Sequence, residues 1–353
     1  MTKLSRRTLL QGTGVLALAG LPPTRVLSSA PPAEAITPEL IAAAKKEGKV
    51  VYYTSVDLAM AERISKMFEA RFPGISVRVE RSGAERIFQR IGQENSSRIH
   101  AVDVVNSSDA AHFIVWKRNG WLAPYVPQDV AQFYAAEHKD ADGQFAAFRL
   151  MLSVIGFNTN MVKPEEAPKG HADLLEAKWK GKLVKAHPGY SGTIMTATHQ
   201  LVRDLGWPYF EKLAQQGVMQ VQSASDTPKK ISLGERAAQA DGNEYNLLLL
   251  KEQGQPVEPV YAVEGTPQIV GPNGVFKNAP NPNAARLFQN WSFTAECQQL
   301  IIDVAALRSL HPQAKEKPGR KPLKDIKTLK EDAVAVEKQS DEIKSRYSKI
   351  FKV

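Results

Sequence analysis

Residues 49–105 read KVVYYTSVDLAMAERISKMFEARFPGISVRVERSGAERIFQRIGQENSSRIHAVDVV, and this stretch decides the fold. Lys49–Tyr53 is a short run rich in Val and Tyr, the composition of a strand. Ala61, Ile64 and Phe68 then recur at helical spacing until Pro73-Gly74 stops them. Ile75–Glu80 alternates as a second strand, Ile87 and Ile91 mark a second helix, and Val102–Val105 is a third strand. Strand–helix–strand–helix–strand is the opening of a doubly wound α/β sheet.

A second unit of the same kind lies further along. Leu183–Lys185 reads as a strand, and His187-Pro188-Gly189-Tyr190-Ser191-Gly192-Thr193 is a loop feeding a helix from Ile194 to Leu205. Val218–Val221 and Ala237–Ala240 read as strands, and Glu244–Gln253 as a helix containing Leu247–Leu250. The first sheet takes the chain back near Thr266–Lys277. Asn281 is placed to cap, and Pro282 to open, a helix with Leu287, Phe288 and Trp291 on its buried stripe, and Thr294 caps the next. The charged stretch Lys324–Lys349 reads as a final amphipathic helix packing through Ile343, Tyr347 and Phe351. Crossovers between the two units are expected near Phe145–Phe157 and Pro256–Thr266. The basic tail Lys315–Lys330 reads as a solvated face.

At the other end, Ser5-Arg6-Arg7-Thr8-Leu9-Leu10 is a twin-arginine export motif, followed by a mildly apolar run from Gly12 to Leu21 and an A-x-A processing site at Ala33-Glu34-Ala35. The apolar run is too short and glycine-rich for a permanent span. Residues 1–35 therefore read as a leader, with the mature protein starting near Ile36, and 36–353 is comfortable for two domains. Cys297 is the single cysteine, which excludes an intramolecular disulfide and any Cys-rich zinc or iron–sulfur site. The net charge is +9, and the chain stays basic once the leader is subtracted. Export removes nucleic acid as a partner, so the charge reads as attraction to anionic ligands.

The ordered series of short motifs carries a family resemblance. Val50-Val51-Tyr52-Tyr53-Thr54-Ser55, Asp103-Val104-Val105 and Ile155-Gly156-Phe157-Asn158-Thr159-Asn160 come first. Trp179-Lys180-Gly181-Lys182, Ser191-Gly192-Thr193, Leu233-Gly234-Glu235-Arg236 and Asn281-Pro282-Asn283-Ala284-Ala285-Arg286-Leu287-Phe288 complete the set. From about Ile36 to Val353 the chain resembles the ferric-ion-binding branch of the periplasmic binding proteins, the family 1 extracellular solute-binding proteins. The resemblance implies a type II-like architecture of two doubly wound α/β lobes joined by a two-segment hinge. Lobe 1 would hold 36–150 and 261–353, and lobe 2 would hold 151–260. It also implies an ABC permease and ATPase as partners, a periplasmic location and a monomer.

In open α/β sheets the ligand lies beyond the carboxyl ends of the strands. That rule nominates Thr54-Ser55, Ser107-Ser108-Asp109, Ser191-Gly192-Thr193 and Asn243-Glu244-Tyr245-Asn246. Ser191-Gly192-Thr193 opens a helix, so backbone N–H groups, two hydroxyls and the helix dipole converge where Gly192 lets a ligand approach. This suits a phosphate, phosphonate, carboxylate or carbonate; an ordinary helix cap with a turn glycine is the competing reading. Tyr190 can stack on such a ligand. Arg81 and Ser82 are weaker candidates, a plain surface arginine being the simpler reading of Arg81.

The resembled family holds ferric ion with a histidine, an acidic residue and two adjacent tyrosines. Tyr245 falls on the first tyrosine, but Asn246 stands at the second, Val56 at the histidine and Ser108 at the acid, with Asp57 and Asp109 one residue on. The expected ligand is thus a small organic or phosphorylated anion bound by Thr54, Ser55, Ser107, Ser108, Tyr190, Ser191, Gly192, Thr193, Asn243, Tyr245 and Asn246. No metal and no cofactor are expected. A ferric-ion or iron-chelate receptor is the alternative, and an exported hydrolase the third. Gly189-Tyr190-Ser191-Gly192-Thr193 lacks the second glycine of a nucleophile elbow, and no G-x-G-x-x-G, Walker A or H-E-x-x-H motif is present, so catalysis is not expected.

Overall fold

The computed structural model describes residues 30–353, and the twin-arginine motif lies outside them. Helix α1 (Pro38–Glu47) starts at Thr37, whose hydroxyl accepts from the Leu40 N–H, and ends at Gly48 in the left-handed region. The alternation then runs β1 (Lys49–Thr54), α2 (Leu58–Arg71), β2 (Ser76–Arg81), α3 (Ala84–Ser96), β3 (Val104–Asn106), α4 (Ala110–Arg118) and α5 (Gln128–Phe133). β1 pairs in parallel with β2 and β3, as the doubly wound reading requires.

The chain continues through β4 (Ala146–Leu152) into β5 (Ile155–Asn158), then β6 (Leu183–Ala186), α6 (Gly192–Leu205), α7 (Trp207–Ala214), β7 (Met219–Val221), α8 (Asp226–Ser232), β8 (Ala238–Gln239), α9 (Glu244–Glu252) and β9 (Val257–Val260). It returns in β10 (Thr266–Val275), followed by α10 (Pro282–Ser292), α11 (Ala295–Ala305), β11 (Thr328–Leu329) and α12 (Ala333–Phe351). The first sheet has the order β11-β10-β3-β1-β2 with β4 against β10, and the second β7-β6-β8-β5-β9. Each sheet is the floor of one lobe, and the chain crosses between them at β4–β5 and at β9–β10.

Three local expectations differ from the structure. Asn281 does not cap α10; its N–H and Nδ2 donate to the buried Asp103 carboxylate (2.8 and 2.9 Å), which locks the start of α10 to the entry of β3. The final helix begins at Ala333 rather than near Lys324, because Thr328–Leu329 first pairs with Thr266–Pro267. That helix also leaves the first lobe. Its apolar stripe Val336, Ile343 and Tyr347 packs in the core of the second, with Leu183 and Phe210, and Tyr347 Oη donates to Gln220 (2.8 Å). α12 still touches the first lobe, through Arg118–Glu337 on α4 (2.8 Å) and Lys344–Glu85 on α3 (3.1 Å). The chain thus passes between the lobes a third time, in addition to the two hinge strands.

The residues just before Ile36 also belong to the fold. Glu34 N–H donates to Val126 O, and Glu34 O accepts from Gln128 N–H and from Asn290 Nδ2 (2.9, 2.9 and 2.7 Å).

Candidate functional site

A polar cavity of about 320 Å³ opens between the lobes, at the carboxyl ends of β1, β2, β3, β6 and β7. The strand-end rule is followed on both sheets. The first lobe brings Ser55, Asp57, Arg81, Arg86 and Ser108, and the second brings Tyr190, Ser191, Thr193, the loop Gln222–Asp226, Lys229, Asn243 and Tyr245. Arg149 and Met151 rise from the hinge strand β4.

The hydrogen bonds explain how the wall is held. Ser55 Oγ accepts from Ser108 N–H (2.9 Å) and from Arg149 Nη2 (3.3 Å), which ties two loops and the hinge strand together. Asn243 Nδ2 donates to Ser225 Oγ, Tyr245 Oη and Asn246 Oδ1 (3.1, 3.2 and 3.0 Å), while the buried Asn243 Oδ1 has no partner among the described residues. Ser191 caps α6 through Ile194 N–H (3.5 Å), and Ser191 and Thr193 at the start of that helix line the cavity. Tyr190 stands at the mouth, 44% exposed.

Of the residues nominated from sequence, Ser55, Ser108, Tyr190, Ser191, Thr193, Asn243 and Tyr245 face the cavity. Thr54, Ser107 and Asn246 do not, because their polar groups hold the loops from behind. Thr54 Oγ1 accepts from Val56 N–H, and Ser107 Oγ accepts from Asp109 N–H and pairs with His112 Nδ1. Asn246 braces Asn243. Gly192 serves a different purpose from the one expected. A Cβ there would lie 2.6 Å from Asp109 Cβ and 3.0 Å from Asp109 N and Ser108 C, so this glycine is where the lobes meet. Gly83 against the Tyr190 carbonyl and Arg86 Nη2 donating to Gln222 Oε1 (2.9 Å) are further contacts across the cleft.

Arg149 is the feature that sequence reasoning missed. It is 1% exposed; its guanidinium reaches Ser55 Oγ and Met151 Sδ and lies beside the Tyr245 phenol, and its Nε has no partner among the described residues. Burial pushes its proton affinity down, opposed by the Tyr245 and Tyr52 phenols, but a guanidinium keeps its charge in a protein. A signal was present: one arginine inside the apolar run Phe145–Leu152. Arg81, Arg86 and Lys229 add three more cations to the lining. Among the described residues none of the four lies within ion-pair distance of a carboxylate. Asp57 and Asp226 are engaged as caps, of Ala59 N–H and Ser223 N–H. The Gln222–Asp226 loop was also overlooked, although it follows a strand that the same rule could have extended.

Two α/β lobes closing on a polar cavity at their strand ends define a solute receptor of the type II periplasmic binding protein class. The chain belongs to the bacterial extracellular solute-binding proteins, whose family model matches residues 49–299. It acts as the substrate-binding component of an ABC importer. An uncharacterized protein of Haemophilus influenzae is 25% identical over 271 residues, spanning 73% of this chain and 76% of the relative. Among solved structures, the periplasmic binding protein AfuA from Actinobacillus pleuropneumoniae, with exogenous fructose-6-phosphate bound, superposes with a TM-score of 0.79 at 23% identity, covering 87% of this chain and 99% of that one. Iron-bound HitA from Pseudomonas aeruginosa gives a TM-score of 0.73 at 20% identity, covering 85% and 99%.

Proposed function

We propose that this chain captures a small phosphorylated organic anion in the periplasm and presents it to an ABC permease and ATPase. The observation that carries this reading is Arg149, a buried cation with no carboxylate partner among the described residues, in a cavity lined by hydroxyls that include Ser191 and Thr193 at the start of α6. A buried charge is costly unless paired, and an anionic ligand in this cavity would pair with Arg149. AfuA holds fructose-6-phosphate in a protein of the same fold, which agrees with this class of ligand. The expected ligand contacts are Ser55, Ser108, Arg149, Tyr190, Ser191, Thr193, Asn243 and Tyr245.

Thermal melting in the presence of sugar phosphates, phosphonates, aromatic acids and small carboxylates tests the reading. A ligand at a hundredfold excess over its dissociation constant stabilises by about 2.7 kcal/mol, a shift of roughly 4 °C at this size. Phosphorylated compounds should give that shift. A response to unphosphorylated carboxylates alone, or to none of the panel, would overturn it.

Free ferric ion should not be retained. Val56 and Asn246 do not reach the cavity, and Tyr245 shares it with four basic side chains that repel a trivalent cation. Among the described residues no group of three or more His, Cys, Asp or Glu side chains is placed to hold a metal ion. Protein incubated with ferric citrate and desalted should be colourless, whereas tyrosinate–iron absorption in the visible would show the opposite.

The export route belongs to the same proposal. Changing Arg6 and Arg7 together to lysine should leave a folded precursor in the cytoplasm, and unchanged periplasmic delivery would rule out the twin-arginine route. Because Glu34 is paired on both its N–H and C=O, we place processing before Glu34 rather than after Ala35. N-terminal sequencing of the exported protein reads this directly.

A further inference from the structure

Against the hinge strand β4, Glu244, Arg308, Arg320 and Tyr261 form a buried network separate from the cavity lining, and the partly exposed Glu316 pairs with both arginines from its outer side (3.2 Å each). Glu244, the first residue of α9, accepts from Arg308 Nε and Nη2 (3.0 and 2.7 Å), from Arg320 Nη2 (2.8 Å) and from Tyr261 Oη (2.5 Å). The Glu244 and Arg308 side chains are each 1% exposed. Despite its burial, the two guanidinium groups hold the Glu244 carboxyl below the usual range. Arg308 is also bonded along its backbone to the hinge: Leu150 N–H donates to Arg308 O and Arg308 N–H to Leu150 O (2.9 and 3.3 Å).

The neighbours of these residues matter. Leu150 follows Arg149 on β4, and Glu244 lies between Asn243 and Tyr245. One network therefore joins the strand that carries the buried cation of the cavity to the helix end that carries its two facing polar groups, across the lobe boundary. We propose that Arg308 and Glu244 are positioning residues, a pin that holds Asn243 and Tyr245 in register with Arg149. A buried ion pair is weak evidence for stability but can specify one arrangement, since any other leaves the buried Glu244 carboxylate without its two guanidinium partners. The inference rests on the anion-receptor reading above.

The test compares wild type with Arg308→Lys, which keeps the charge but removes the two-pronged fork, and with the double variant Arg308→Met, Glu244→Gln, which removes both charges. Affinity is measured well below each melting point, using inorganic phosphate and the tightest phosphate ester of the melting panel. Amide hydrogen exchange is followed over residues 243–247 in ligand-free protein. Arg308→Lys should bind about tenfold more weakly, with faster exchange at 243–247. The double variant should recover melting temperature yet bind at least tenfold more weakly. Lower melting temperatures with unchanged affinity and exchange would show that the network only stabilises the fold, and the proposal would be wrong. If wild type binds neither probe, the anion reading itself fails, while the exchange result still reports on the pin.

Discussion

Replacing Arg149 with methionine should weaken binding of phosphorylated ligands by roughly thirty- to a thousandfold, the equivalent of about 2–4 kcal/mol for removing a charge-assisted hydrogen bond from a buried site. The same change should leave the ligand-free protein at least as stable as wild type. The two signs together make the experiment informative. Arg149 is enclosed by β4, the Ser55 loop and the Tyr245 side, with no carboxylate among the described residues to balance it, so in the ligand-free protein its burial is a standing cost. Methionine keeps the length and apolar stem of the arginine without the charge. Calorimetric titration together with a melting curve reads both quantities. If Arg149→Met lowers the melting point and leaves affinity unchanged, the arginine is a packing element and the cavity takes some other ligand.

A second large effect is expected at Gly192. Valine there should reduce ligand affinity by more than a hundredfold, and small-angle scattering should show that added ligand no longer compacts the protein. The cause is steric and lies between the lobes. With only 2.6 Å to Asp109 Cβ and 3.0 Å to two backbone atoms, a side chain at position 192 has no flexible neighbour to displace. Asp109 caps α4 through Ala111 N–H, so its backbone is fixed by that helix. The lobes would stay apart, and a ligand that needs both of them would find its competent state hardly populated. The circular dichroism of the free variant should match wild type, since each lobe keeps its own core. Normal affinity with normal compaction would mean that the lobes close without this contact.

The alternation of strands and helices is legible in the sequence over β1, β2 and β3 and again over β6, α6 and α9. Each of these elements has its own apolar periodicity or a cap written beside it, and that information is local. The loops around the cavity are legible for a related reason: in this sheet type the carboxyl ends of parallel strands come together whatever the side chains are. Individual residues within those loops are not. Thr54 and Ser55 are adjacent hydroxyls, yet one is turned inward to hold Val56 and the other faces the cavity. Asn243 and Asn246 are one helical turn apart, and one braces the other. A sequence shows that such groups are available, not which way a turn rotates them.

The α/β alternation and the chain's return to the first sheet were determined by the sequence alone, because each depends on residue identity and short-range spacing. Tertiary structure decided the rest. It carried α12 across to the second lobe, where the apolar stripe Val336, Ile343 and Tyr347 finds a partner surface. It used Gly192 as the meeting point of the lobes and enclosed Arg149 without a counter-ion among the described residues. These outcomes depend on which distant surfaces meet and which charges they leave unpaired, and no spacing along the chain encodes that.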